Sequence, residues 1–137
     1  MNRKDLQSLS AVRLKEARAL FKLGLPNGAY YLAGYAVECA LKACVARKTL
    51  RHDFPDRGRV NDSYTHSLKK LVDVADLTKA RQAHERADNA FLLNWQIAAD
   101  WSEESRYRLF SLQQAEKLLV AVSDRNHGVI AWIRRYW

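Results

Sequence analysis

Two prolines and five glycines are all that interrupt a chain of 137 residues. Proline and glycine are the strongest local breakers of regular structure, so their scarcity predicts long helices. Sustained alternation of apolar and polar residues is also missing, which leaves no basis for a half-buried strand. No apolar run reaches the ~18 uncharged residues that a membrane-spanning helix needs, so no membrane association is expected. The opening MNRKDLQSLS is basic but has no apolar stretch behind it, so no secretory leader is expected either.

Cysteine is nearly absent. Cys39 and Cys44 lie five apart on one predicted helix, about 140° apart around its axis, too divergent to join each other. They are expected as buried thiols in a reducing compartment, the cytoplasm. No further ligands stand at zinc-site spacing, so neither metal nor cofactor is expected. Negative charge is the scarcer sign, 15 acidic against 23 basic residues, for a formal net charge of +8. That excess favours an acidic partner, whether nucleic acid or an acidic protein. With 48% apolar and 28% charged residues, residues 1–137 read as a single globular domain able to bury a core.

What is present is helical periodicity. Leu6, Leu9, Val12, Ala17, Leu20 and Phe21 mark a first helix over 4–23, stopped by Gly24. Pro26 can open the second, over 27–48, whose small residues predict close packing on more than one side. A loop of about fifteen residues follows, rich in Arg and Asp. Thr65 is expected to cap a third helix over 66–75, and Thr78 a fourth over 79–99. Ser111 with Gln114 forms a capping-box pattern ahead of a last helix from Leu112 nearly to the end. The sum is an all-α fold, an antiparallel up-and-down bundle of four long helices plus a short one.

In the segment GAYYLAGYAVECALKACVARK, Glu38 and Lys42 interrupt an otherwise apolar helix. Burying a lone carboxylate is costly, so Glu38 needs a partner. Lys42, one turn later, stands at the favourable spacing.

Four features in order resemble the HEPN family of small helical-bundle proteins: YYLAGYAVECALKA at 30–43, THSLKKL at 65–71, DWSEESRY at 100–107, and a final amphipathic helix starting at Ser111. The resemblance makes Arg106 a partner for Glu38, in a structural polar pair fixing helix register. It implies a homodimer that associates with RNA or a nucleotide in a toxin–antitoxin or phage-defence setting. In the ribonuclease members of that family, an arginine and a histidine separated by four to six residues work across a dimer cleft without a metal. Histidine can move the protons, and arginine can stabilise the phosphate.

Two pairs here have that spacing, Arg59–His66 and Arg47–His52. The family's usual place for the motif, near the start of the last helix, holds no histidine. Arg59 and His66 are the leading catalytic candidates. Arg47, Arg51, His52, Arg57, Tyr64 and Lys69 form a candidate phosphate or nucleotide edge. His84 is expected on an exposed helix face, and the apolar surface of IAWIRRYW is expected to support dimerisation. The alternative is a non-catalytic binding module that docks RNA, a nucleotide or a partner nucleotidyltransferase.

Overall fold

The computed structural model describes residues 1–49, 54 and 56–137. Among them the chain is all-α. The helices are α1 (Arg3–Lys22), α2 (Pro26–Lys48), α3 (Arg57–Asp62), α4 (Leu68–Val74), α5 (Thr78–Ala87), α6 (Asn89–Ala99), α7 (Leu112–Ser123) and α8 (Val129–Ile133). A 3-10 helix over Glu103–Tyr107 joins α6 to α7.

The first two helices form where periodicity and punctuation agree. Asn2 and Asp5 cap α1 reciprocally, Asn2 Oδ1 accepting from the Asp5 N–H while Asp5 Oδ2 accepts from the Asn2 N–H. At its other end the Leu25 N–H donates to the Leu20 carbonyl and the Gly24 N–H to that of Phe21. This is a Schellman closure, and it requires Gly24 at φ 74°. Pro26 then occupies the first turn of α2, where its missing N–H costs nothing.

α2 is the centre of the molecule. It packs on α1, α4, α7, α8 and the 3-10 helix, and its buried residues run on several faces from Ala29 to Val45. A helix with neighbours nearly all round must be apolar nearly all round, which accounts for its run of alanines. The indole of Trp101 lies so close over Gly34 that a Cβ there would collide with it. Phe91, Trp95, Leu118, Val122 and Trp132 complete the same buried cluster.

The long fourth and last helices expected from periodicity are each divided. Asp88 leaves helical geometry at ψ 98° and turns its carboxylate onto the Phe91 N–H, ending α5 and capping α6. Asp124 follows α7: its Oδ2 accepts from the N–H groups of Asn126 and His127, turning the chain before α8, whose N-cap is Gly128. The first break uses a side-chain cap and the second a turn closed by an aspartate side chain, and neither uses proline. Ser67, not Thr65, caps α4, and the expected loop between α2 and α4 contains the single turn and a half of α3. The capping box at Ser111 and Gln114 forms as expected.

The apolar surface expected on IAWIRRYW is largely consumed inside the chain: Ile130, Trp132 and Ile133 are buried in the core. The thiols of Cys39 and Cys44 are buried and unpaired. Burial pushes Cys39 up to about 11 and Cys44 up to about 12, so neither is a nucleophile at neutral pH.

Candidate functional site

Glu38 is 2% exposed in the middle of α2. Its Oε1 accepts from the Lys42 ammonium at 2.9 Å and meets Nδ1 of His66, also at 2.9 Å. Lys42 arrives because i and i+4 share a face. His66 arrives because α4 packs on α2 and the residues just before its cap lie across that face. Oε2 is also buried and meets no donor among the described residues.

Arg106 is not the partner of Glu38. The 3-10 helix turns Ser105 inward and Arg106 outward, and the Arg106 guanidinium lies 5.0 Å from the Tyr107 ring centroid. The position that sequence reasoning gave to arginine is filled by lysine and histidine.

The Glu38–His66 contact fixes the imidazole chemically. A carboxylate only accepts hydrogen bonds, so Nδ1 carries the proton it donates and Nε2 of the neutral ring keeps its lone pair. The His66 side chain is 48% exposed while that of Glu38 is 3% exposed. A buried carboxylate therefore orients a histidine whose ring remains accessible, an arrangement suited to general acid–base chemistry.

Beside Lys42 lies a pocket of about 380 Å³ between the start of α1, the second half of α2, and α3. Leu6, Val45 and Val60 give it apolar walls, and Lys42, Arg59 and Tyr64 give it polar ones. Arg59 Nη2 donates to Asp76 Oδ2 at 3.0 Å, so its guanidinium is anchored to the turn after α4. Asp76 is itself unusual: it takes the left-handed position, φ 59°, that closes α4. Asp56, which caps α3, also lines the pocket and tempers its charge.

The remaining candidates separate. Arg57 is exposed on α3, and Tyr64 is 74% exposed at the pocket. Lys69 faces a different groove, with Arg81, Glu85 and Trp95. Arg47 Nη1 donates to the carbonyl of Tyr136 at 3.2 Å and lines a separate pocket with Ala75 and Leu77. Arg51 and His52 lie outside the described residues.

A second group was missed entirely. Nδ1 of His127 meets Asp88 Oδ2 at 2.7 Å, and Nε2 of His84 stands 3.8 Å from the same oxygen. The His84 side chain is only 19% exposed and its ring sits edge-on to Phe91, so it is not on an open helix face. The aspartate between a polar and an apolar helical half was the available signal.

No family model matches this chain, and neither a curated protein nor a solved structure matches it.

Proposed function

We propose that this chain is an RNA-associated domain of the HEPN kind, with His66 as its proton-transfer group. The observation that carries the reading is the 2.9 Å contact of Glu38 Oε1 with His66 Nδ1 on a half-exposed ring. In the proposed reaction Nε2 takes the proton from a ribose 2′-hydroxyl. The 2′-oxygen attacks the adjacent phosphorus, the bond to the 5′-oxygen breaks, and that oxygen receives a proton. The products are a 2′,3′-cyclic phosphate and a 5′-hydroxyl. Lys42 and Arg59 supply positive charge for the phosphate. A single His66 serves one proton transfer at a time, so the reading includes a two-fold homodimer whose second His66 protonates the leaving oxygen.

Cleavage of mixed-sequence RNA in the presence of a chelator tests this. Wild type is expected to cleave, and His66→Ala to lose about 10²–10⁴-fold in rate while keeping its helical circular dichroism. Equal rates for both proteins, or a folded wild type that leaves RNA intact, would remove the ribonuclease reading.

The second reading is a non-catalytic module, docking RNA, a nucleotide or a nucleotidyltransferase. The anchoring of Arg59 by Asp76 favours it, since a held arginine is suited to recognition.

A further inference from the structure

α2 ends in two cations, Arg47 and Lys48. Their presence there has an ordinary explanation, because basic side chains stabilise the carbonyl end of a helix. Arg135 stands two positions past α8, where the same effect is weak because that helix has only five residues. It comes from the segment after α8, and the Arg47–Tyr136 hydrogen bond ties that segment against the end of α2. The three cations line one pocket of about 370 Å³, together with Cys44, Ala75 and Leu77. Among the described residues, no carboxylate lies within ion-pair distance of any of the three. Three like charges converge on a recess whose apolar lining does nothing to neutralise them.

The basin also adjoins the proposed site. Asp76, between Ala75 and Leu77 of its lining, is the residue that holds Arg59. Arg59 shares its own pocket with Lys42, and Lys42 shares Glu38 with His66. The Arg59–Asp76 ion pair thus stands between the proposed site, beside the start of α4, and the basin, beside its end. α4 is seven residues long, about 10 Å at 1.5 Å per residue. That is about three nucleotides of a stacked strand at 3.4 Å per step.

We infer that Arg47, Lys48 and Arg135 form a binding basin for a backbone phosphate of single-stranded RNA, about three nucleotides from the one at His66. The inference rests on the RNA reading above and adds where the strand is gripped. Arg47 gives the basin direction, since its bond to the Tyr136 carbonyl fixes one edge of the guanidinium and leaves the others for phosphate oxygens. Lys48 and Arg135 add charge, which single-strand binding registers as counterion release.

The test uses His66→Ala protein, so that binding is read without cleavage. A short fluorescent mixed-sequence RNA is titrated by anisotropy with chelator present, over about 50–200 mM salt. Lys48→Gln and Arg135→Gln are each expected to reduce the log–log salt slope by about 0.7, and the double variant by about 1.4. Lys117→Gln is the control. Lys117 lines a cleft with Tyr30, near the opposite end of α2, and its removal is expected to leave the slope unchanged. Thermal melts check that each variant folds.

Unchanged slopes in the basin variants overturn the inference even if wild type cleaves RNA. An equal loss in Lys117→Gln also overturns it, because the attraction is then diffuse. A parent protein that binds no RNA overturns both the basin and the reading beneath it. Reduced slopes in a protein whose wild type never cleaves support the basin and leave only the catalytic reading to fall.

Discussion

Glu38 and His66 are 28 positions apart, yet Oε1 of one lies 2.9 Å from Nδ1 of the other, and the same oxygen takes the Lys42 ammonium. A buried ion pair contributes little net stability against an apolar replacement of similar shape, because desolvation offsets the attraction. Glu38→Met should therefore fold, with stability within about 1 kcal/mol of wild type, since Lys42 is 23% exposed and its charge can reach water. On the proposed reaction, the orientation of His66 should be lost with the carboxylate, lowering single-turnover RNA cleavage by about 10–100-fold. Urea denaturation and single-turnover kinetics on one preparation separate the two effects. A collapse in stability with cleavage unchanged would make Glu38 purely structural.

The same residues show where sequence reading succeeds and stops. α1 and α2 were legible because Gly24 and Pro26 punctuate a strong helical period. The breaks at Asp88 and Asp124 were not, because an aspartate that caps a helix or closes a turn looks like any polar residue on an exposed face. The need for a partner at Glu38 followed from burial alone, and helical spacing supplied Lys42. It could not supply His66, because periodicity assigns a residue to a face but does not say which distant turn is packed across it. The choice of Arg106 came instead from the family resemblance, and it fails because the 3-10 helix turns Ser105 inward and Arg106 outward.

Asp76 occupies a left-handed position where glycine is the usual occupant, and it places a carboxylate at the negative end of α4. Its ion pair with Arg59 is exposed enough to contribute little in return. Asp76→Gly should raise stability by about 1 kcal/mol, by relieving backbone strain and removing an unfavourable charge. It should also release Arg59 from its anchor, so on the proposed RNA reading affinity falls as stability rises. Parallel urea curves and anisotropy titrations check the opposed signs. A fall in stability would mean that the Arg59–Asp76 pair outweighs the strain.

Gly34 has no room for a side chain. A Cβ there would occupy the space of the Trp101 indole, and that ring belongs to the buried cluster. Gly34→Ala should destabilise by about 1–3 kcal/mol through overpacking, in spite of alanine's better helix propensity. The displaced Trp101 should become more exposed, shifting tryptophan emission to the red before global unfolding. A net gain in stability would show that α2 and the segment carrying Trp101 separate without cost.

The histidines around Asp88 should titrate on opposite sides of the ordinary value. His127 is raised, first by its hydrogen bond to Asp88 and then by that residue's charge. His84 is lowered, chiefly by burial, with Arg135 adding to it. Asp88 is itself held below the usual carboxylate range, first by His127 and then by the Phe91 N–H. The raised histidine contributes stability that is fully present below its unfolded value and is lost as pH rises through its folded one. The lowered carboxylate contributes stability present above its unfolded value and lost as pH falls through its folded one. The pair therefore helps hold the turn before α8 to the start of α6 between those two limits. Asp88→Asn keeps a side-chain cap for α6, since asparagine caps as well as aspartate, but removes the charge. In that variant the His127 midpoint, followed by NMR, should fall toward its ordinary value. His84 should fall a little further, because Asp88 is the one charge raising it. An unmoved His127 would mean that the 2.7 Å contact does not persist in solution.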